Sequence, residues 1–345
     1  MRRLPAHLLR WYDENRRDLP WRVKAGAQAV PYHVWLSEIM LQQTTVATVI
    51  PYFQDFITRW PTVRDLARAD DDDVMACWAG LGYYARARNL LKTARIIAKD
   101  YAGVFPQTAK NLRALPGIGE YTCHAILAIA FDKPVVAYDV NVTRVLARVF
   151  GDATPPPRLQ KKLRAHEEVW DLRTRAGDFT QALMDFGAMI CRAKAPHCHI
   201  CPIASHCMGR EMAGALPVAL PKPERPHFYG MAVVFTNDAN AVLLDRRPEN
   251  GMLGGMAGFL GSHWRYEKQA ALPSPGSLFA QADESCHPCG IITHGFTHFT
   301  LSVDVYKTRL ACGINWLPEN SMWVADLDEK TLPSIMRKIW RKTLS

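Results

Sequence analysis

The stretch LPGIGEYTCHAILAIAF, residues 115–131, joins a glycine-rich turn to an apolar helix. Glycines at two nearly adjacent positions let the backbone turn tightly and bring its amide groups close to an anion. The helix that follows adds the positive end of its dipole, so the turn can hold a phosphate without reading a base sequence. Pro116, Gly117 and Gly119 are therefore candidate phosphate contacts, although a plain turn between packed helices has the same pattern.

The sequence on both sides of this turn predicts a mostly helical region up to about residue 190. Residues 30–57 begin with a proline at a helix start and carry apolar residues at helical spacing. Residues 70–102 predict two helices broken at Gly80 and Gly82, with the acidic run 70–73 at a helix N-terminus. Two more helices are predicted over 140–150 and 159–170.

A loop with four cysteines follows this helical region. Cys191, Cys198, Cys201 and Cys207 are spaced C-x6-C-x2-C-x5-C. Four thiolates favour a soft metal centre, either an iron–sulfur cluster or zinc. Zinc ribbons usually have two C-x2-C pairs with a longer spacer, whereas only one tight pair is present here. The spacing therefore predicts one [4Fe–4S] cluster, with zinc as the alternative.

The composition limits the class of protein. The chain has 345 residues, a formal net charge of +9 and nine cysteines. This length predicts about two domains, and a modest basic excess is compatible with a polyanionic partner. The N-terminus turns charged too early for a signal peptide, and no apolar run approaches 18 residues. We expect a cytoplasmic protein without membrane association, whose cysteines bind metal and do not form disulfides.

A proline-rich stretch, LPVALPKPERP at residues 216–226, divides the chain. After it the helical pattern gives way to alternating apolar and polar residues, which predicts strands. We predict a helical domain over residues 1–215 with the cysteine loop at 191–207, a linker over 216–228, and an α+β domain over 229–345.

The glycine turn lies some 70 residues before the cysteine loop, and this combination resembles the helix-hairpin-helix DNA glycosylases of the endonuclease III superfamily. WLSEIMLQQT at 35–44 and GLGYYARARNL at 80–90 are similar to the MutY family of adenine DNA glycosylases. The resemblance implies a two-lobed helical fold with a cluster loop and a C-terminal Nudix-like domain. It also implies a monomer that removes adenine opposite 8-oxoguanine or guanine from double-stranded DNA.

The resemblance assigns catalytic roles to a few polar residues. Glu38 lies among apolar neighbours, and its burial should keep the carboxyl protonated near neutral pH, as an acid that protonates adenine requires. Asp139 begins a helix as a candidate N-cap, and the resemblance makes it the carboxylate that supports the sugar cation. Asn141 would orient that carboxylate or a water. Tyr121 replaces the lysine of bifunctional members, so we expect no efficient lyase activity, and the resemblance places Tyr121 in the pocket near Glu38.

Further residues are implied as DNA or base contacts. The resemblance places Asp185 near the adenine. Arg86 lies in a stretch that combines arginines with tyrosines, which makes it a candidate phosphate contact. The remaining candidates in this region are Trp21, Arg22, Gln42, Gln43, Thr44 and Tyr83. The chain also departs from the family, because Val140 follows Asp139 where a glycine is usual. A β-branched residue resists a positive φ and crowds a close backbone. If the family glycine serves DNA binding, we expect Val140 either to slow catalysis or to shift the Asp139 carboxylate.

In the C-terminal domain, Phe296, Thr297 and His298 correspond to the Phe-Ser-His loop that the family uses for 8-oxoguanine. Nudix hydrolysis is not expected, because Glu267 is the only glutamate in the short polar stretch after Gly258 where a magnesium-binding helix is needed. Cys286 and Cys289 form a second C-x2-C, read either as an incidental pair or as a zinc site.

Two rival functions are carried alongside this interpretation. One is a pyrimidine-lesion glycosylase of the same superfamily, which Tyr121 and the C-terminal domain disfavour. The other is a non-catalytic lesion-binding protein, which only Val140 favours.

Overall fold

The fold is taken from a computed structural model, which describes residues 3–24, 27–221, 224–248, 252–266, 286–310 and 317–345. The chain divides into two compact units. The first contains residues 1–77 and 86–221, and the second contains residues 78–85 and 222–345. In the described residues, no helix is both long enough and apolar enough to cross a bilayer.

The first unit is helical. The helices of this part of the chain are α1 (Leu4–Asn15), α2 (Pro31–Leu41), α3 (Val46–Arg59), α4 (Val63–Arg68), α5 (Asp71–Trp78), α6 (Ala85–Asp100), α7 (Ala109–Arg113), α8 (Glu120–Phe131), α9 (Val140–Phe150), α10 (Arg158–Arg164) and α11 (Ala176–Met189). Helix α11 packs against α1, α8 and α9, while α2 packs against α3 and α8. Helices α2 and α9 are thus linked through α8 and α11.

The helix boundaries follow local chemistry. The predicted stretch 30–57 is divided into α2 and α3, because Gln43 adopts a left-handed φ of 58° and Thr45 caps α3 through the amide of Thr48. The acidic run lies at the start of α5, as predicted. Helix α9 ends at Gly151, whose φ is 62°.

The core of the first unit lies where α1, α9 and α11 meet. It contains Trp11 and Phe186, whose rings pack edge to face with centroids 5.2 Å apart. Helix α9 contributes an apolar face that also contains two arginines, Arg144 and Arg148. Both arginines are buried, so their charges must be satisfied by the surrounding backbone.

The second unit contains a mixed β-sheet. Its strands are β1 (His227–Thr236), β2 (Val242–Arg246), β3 (Ala257–Gly258), β4 (Leu260–Gly261), β5 (His287–Gly295), β6 (Thr300–Arg309) and β7 (Ser321–Val324). The main order is β3-β2-β1-β6-β5, with β4 beside β1 and β7 beside β2. Strands β1 and β6 pair in parallel along their whole length. Helix α12 (Ser334–Lys342) buries Ile335, Met336 and Ile339 in the apolar core of the unit.

Candidate active site

A cleft of about 1360 Å³ opens in the first unit. It is formed mainly by the end of α2, the turn before α8 and the start of α9. The cleft is lined by most of the predicted site residues of this unit, namely Trp21, Arg22, Glu38, Gln42, Gln43, Thr44, Gly117, Gly119, Tyr121, Asp139 and Asn141. The structure therefore brings together, in one cavity, residues separated by more than one hundred positions in the sequence.

Glu38 is a buried carboxyl in the wall of this cleft. Helix α2 places it beside Trp35 and Leu36, which are fully buried, and Glu38 itself is only 6% exposed. The Tyr121 hydroxyl donates a hydrogen bond of 2.7 Å to Oε2 of Glu38. Burial raises the pKa of Glu38 to about 7; the charge of Asp139 also raises it, whereas the Tyr121 hydrogen bond and Arg22 lower it. A substantial fraction of Glu38 is consequently protonated at neutral pH.

Asp139 is the N-cap of α9, as the sequence predicts. Its Oδ1 accepts the backbone amide of Val142 at 2.6 Å, and its Oδ2 accepts Nδ2 of Asn141 at 2.8 Å. Asn141 is held in turn by Arg144, whose Nη2 donates to Oδ1 of Asn141 at 2.9 Å. The carboxylate is therefore fixed in orientation by the helix end and by one supported amide.

Val140 has an unstrained backbone. It is the first residue of α9, and its φ is not positive. The side chain is 77% exposed and lines the cleft. The first position of a helix needs only ordinary helical geometry, which valine adopts without strain. What remains is a bulky side chain next to Asp139 in the space open to a ligand.

Asp185 is placed differently from its expected position near the adenine. It is fully buried and is not among the residues that line the cleft. Arg17 donates its backbone amide at 3.1 Å and its Nε at 2.6 Å to the two oxygens of Asp185. Arg22 adds a bidentate pair through Nη1 and, at 2.9 Å, Nη2. These four donors fill the acceptor sites of the carboxylate, so Asp185 holds Arg17 and Arg22, which line the cleft in its place.

Arg86 also differs from the expected phosphate contact. Its Nη1 donates to the carbonyl oxygens of Ile39 and Met40, at 2.8 and 2.9 Å, and its Nη2 lies 3.4 Å from Oγ1 of Thr44. The guanidinium thus satisfies carbonyl groups at the C-terminus of α2, where an intrahelical partner is missing. It stabilises the segment that carries Gln42 and Gln43, and does not line the cleft.

The two glycines of the turn before α8 have different structural requirements. Gly117 has a φ of 76°, and a Cβ there would lie 2.9 Å from Cβ of Asn89. Gly119 has an ordinary φ of −83° as the N-cap of α8, and a Cβ there would meet no atom within 4 Å. No side chain caps the α8 amides at this end. The turn is fixed from behind by Thr93, whose hydroxyl donates to the Pro116 carbonyl at 2.8 Å.

The remaining predicted contacts lie in the second unit. Phe296, Thr297 and His298 form the turn between β5 and β6. The Phe296 ring stacks on Phe299 with centroids 4.6 Å apart, while Thr297 and His298 are exposed. The hydroxyl groups of Thr297 and Tyr83 are hydrogen-bonded. Tyr83 has a left-handed φ of 50°, which is uncommon for a non-glycine residue and concentrates at functional sites.

The four predicted metal ligands line one small space, together with apolar residues such as Phe186 and Ile203. Arg148 contacts two of them: its Nη1 lies 3.4 Å from Sγ of Cys191, and its carbonyl accepts the Cys207 thiol at 3.3 Å. Burial is the main cause that raises the pKa of Cys201 to about 11; the neighbouring thiols also raise it, whereas a hydrogen bond from the Ile203 backbone lowers it. Four thiolates packed this closely need a cationic centre to offset their charge, so the residues fit a metal cluster.

Among the residues that the structure describes, no group of three or more His, Cys, Asp or Glu side chains has the geometry of a bound metal ion. The four cysteines line one common space, and this arrangement is compatible with either of the two predicted centres.

The second C-x2-C motif lies at the beginning of β5. Cys286 packs against the apolar cluster on one face of the sheet, and Cys289 packs against the cluster that includes α12 on the other. Their positions place the two thiols on opposite faces, which does not suit a shared zinc ion. Glu267, which bears on the Nudix interpretation, lies outside the described residues.

Sequence reasoning missed three arginines that organise this unit: Arg17, Arg144 and Arg148. Arg144 Nε and Arg148 Nη1 both donate to the Cys191 carbonyl, at 2.9 and 3.3 Å. Arg148 also bonds the carbonyl groups of residues 192, 193 and 216. For Arg144 and Arg148 the sequence did carry a signal. They lie four residues apart within the apolar face of the helix VNVTRVLARVF, where a charged side chain needs a hydrogen-bond partner.

Comparisons with known proteins agree with this architecture. The family model described as HhH-GPD superfamily base excision DNA repair protein matches residues 36–170, and the model described as NUDIX domain matches residues 230–342. The curated adenine DNA glycosylase of Homo sapiens is 32% identical over 401 residues, covering 97% of this chain and 72% of the human protein.

Two solved structures share the fold of the helical unit. A thermostable thymine-DNA glycosylase has a TM-score of 0.53 at 29% identity, covering 60% of this chain and 95% of its own. A non-covalent endonuclease III–DNA complex has a TM-score of 0.50 at 20% identity, covering 60% of this chain and 94% of its own, which supports the fold alone. The predicted fold class is confirmed by these matches. The chain belongs to the MutY family of adenine DNA glycosylases, which are helix-hairpin-helix enzymes of base excision DNA repair with a C-terminal NUDIX-type domain.

Proposed function

We propose that the enzyme removes adenine mispaired with 8-oxoguanine, or with guanine, and that Glu38 and Asp139 carry out the reaction. The observation that carries this proposal is the shared cleft, where a largely buried carboxyl with a pKa of about 7 lies in the same cavity as a helix-capping aspartate. One group supplies a proton and the other supplies a negative charge, which is the division of labour that glycosidic bond cleavage requires.

The reaction follows from these two environments. The protonated Glu38 donates its proton to N7 of an extruded adenine, so that the base leaves as a neutral molecule with the electrons of the C1′–N9 bond. Asp139 faces the resulting oxocarbenium ion and stabilises it, either as an ion pair that water attacks at C1′ or through a transient bond that water hydrolyses. In both cases the water releases a proton, which restores the protonated form of Glu38. Asn141 holds the carboxylate, and Tyr121 holds Glu38. Tyr121 offers no amine, so the reaction stops at the abasic site.

The DNA would be held by groups around the cleft. The uncapped amides of α8 at Gly119 and the turn at Gly117 suit a phosphate, and Gln42, Gln43 and Thr44 suit the space left by the extruded base. In the second unit, the exposed hydroxyl and imidazole of Thr297 and His298, on the turn anchored by Phe296, suit recognition of 8-oxoguanine. Trp21 and Arg22 would form the wall of the adenine pocket.

The cysteine loop is proposed to hold one [4Fe–4S] cluster through Cys191, Cys198, Cys201 and Cys207. Bound there, the cluster would neutralise the thiolates and fix the loop. Arg144 and Arg148 connect the Cys191 carbonyl to α9, so an ordered loop supports the helix that begins at Asp139. The base chemistry is left to Glu38 and Asp139.

A glycosylase assay tests the proposal. Single-turnover excision would be measured on otherwise identical duplexes that contain adenine opposite 8-oxoguanine, adenine opposite guanine, adenine opposite thymine, or thymine opposite guanine. We expect fastest excision from the first, slower excision from the second, and background for the others. The thymine duplex is included because of the likeness to a thymine-DNA glycosylase structure. Glu38→Gln should abolish excision while retaining lesion-DNA binding; substantial excision by that variant would reject the proposed acid.

A further inference from the structure

The first unit contains a second cavity, called the rear cavity below. Its volume is about 410 Å³, within the range of about 300–1,000 Å³ that is common for small-molecule sites. It is bounded by the segment that follows α1, by the end of α8 and by the start of α11. Nothing in the proposed reaction uses it.

The rear cavity and the active-site cleft share a wall. Trp21, Arg22, Ile129 and Gln181 line both. Trp21 is held edge-on against Phe53, with ring centroids 5.4 Å apart, and Arg22 is clamped by Asp185.

Gln181 is the least constrained polar residue of this wall. It is half-buried, and its Nε2 makes a long hydrogen bond of 3.3 Å to the carbonyl of Gly177. A rotation of this side chain costs little compared with moving Trp21 or Arg22. The Gln181 side chain is therefore the natural gate between the two cavities.

The chemistry of the rear cavity suits a neutral heterocyclic base. Ile129 and Phe131 supply apolar surface. The acidic groups already have hydrogen-bond donors: Asp178 accepts Nε of Arg175 at 2.8 Å, and Asp132 accepts the backbone amides of Arg175 and Gly177. Gln28 and Gln181 add uncharged amides, the groups that match the neighbouring donor and acceptor of adenine N6 and N7.

Excision creates a need for such a space. The products are a free purine base and an abasic duplex, and the duplex covers the mouth of the cleft for as long as it stays bound. We propose that the rear cavity receives the excised adenine through the Gln181 gate and releases it to solvent while the DNA product remains bound. This inference rests on the proposed function.

Two residues allow the cavity to be filled without touching the cleft. Thr174 and Val23 line the rear cavity only, and both are exposed at its rim. The filled variants are Thr174→Trp and Val23→Trp. Their matched controls are Arg173→Trp and Lys24→Trp, at adjacent exposed positions that line neither cavity.

The experiment uses the full chain with its metal centre and a duplex with tritiated adenine opposite 8-oxoguanine, under single-turnover conditions. At each time point, one sample is cleaved with alkali to measure abasic sites, and another is filtered rapidly to measure adenine free of the protein–DNA complex. We expect release to follow excision in the unsubstituted enzyme and the controls. In both filled variants, release should lag behind excision by about tenfold or more, with the excision rate within about twofold of normal.

The inference is overturned if adenine release keeps pace with excision in both filled variants. It is also overturned if both filled variants lose excision itself while the controls remain active, since the cavity would then serve the chemical step. An unsubstituted enzyme that excises no adenine would reject the proposed function instead, so the two failures are distinguishable.

Discussion

At the scale of single residues, the ion cluster of Asp185, Arg22 and the partly exposed Arg17 determines which groups face the cleft. Asp185 is fully enclosed by four hydrogen-bond donors, and the arginines take its place at the cleft surface. A carboxylate in this setting positions its partners and has no acceptor site left for the base.

Removing Asp185 should therefore destabilise the fold as well as the pocket. Asp185→Ala leaves the buried Arg22 without its partner, which typically costs about 3–5 kcal/mol, with the lower end expected because Arg17 is partly exposed. Urea unfolding of the full chain measures the loss. Asp171→Ala, which breaks the exposed pair with Arg173, is the matched control and should leave stability unchanged. Equal stability of the two variants would contradict this account of Asp185.

Val140 should limit the reaction through the space that it occupies. Its backbone is unstrained, and its exposed side chain lies in the cleft beside Asp139. Val140→Ala keeps a helix-forming residue at the start of α9, and we expect faster single-turnover excision with unchanged stability. Val140→Gly should show the same increase. Unchanged or slower excision in both variants would reject the crowding explanation.

At the scale of elements, the two glycines in the turn before α8 are needed for different reasons: Gly117 for the fold, and Gly119 for the proposed phosphate contact. Gly117→Ala should lower the free energy of unfolding by about 1–3 kcal/mol, because the residue would be strained at positive φ and would collide with Asn89. Gly119→Ala should cost less than about 1 kcal/mol, the preference for glycine over alanine at an N-cap, yet weaken binding to duplex DNA. Chemical denaturation and DNA titration measure both effects. Unaltered DNA affinity in Gly119→Ala would show that these amides do not hold a phosphate.

The same scale shows what a sequence pattern can and cannot predict. Helix periodicity, the N-cap at Asp139 and the approach of Tyr121 to Glu38 follow from local spacing and from the resemblance of motifs. The roles of Asp185 and Arg86 did not follow, because each depends on partners far along the chain, at residues 17 and 22 for Asp185 and at residues 39 and 40 for Arg86. The periodicity of a sequence shows which face of a helix or strand is buried, but it does not show which distant residue a charged side chain will bind.

At the scale of the whole molecule, the two units are proposed to divide the work, with base removal in the helical unit and lesion recognition in the second. The change from helical to alternating patterning beyond the proline-rich stretch predicted the strands of the second unit, because the period of apolar residues shows which face of an element is buried. The rear cavity could not be predicted, because it is formed by side chains from three separate segments.

Lesion recognition can be tested at Thr297. Thr297→Val keeps the shape of the side chain but removes the hydroxyl that is hydrogen-bonded to Tyr83. We expect weaker binding to the 8-oxoguanine duplex and little change for the guanine duplex, so the ratio of the two dissociation constants should move toward one. Thr297→Ser, which retains the hydroxyl, should preserve the ratio. An unchanged ratio in Thr297→Val would remove this residue from lesion recognition.

The most direct test of the central claim is the pH dependence of single-turnover adenine excision. Glu38 acts in its protonated form, and its pKa is raised to about 7. The excision rate should therefore be highest below that pH and should decline as the pH rises through it. Above pH 8 the rate should fall about tenfold per pH unit. Glu38→Gln should leave no excision that follows this profile. A rate that stays constant between pH 6 and 9, or a declining limb that persists in Glu38→Gln, would contradict the role of Glu38 as the acid.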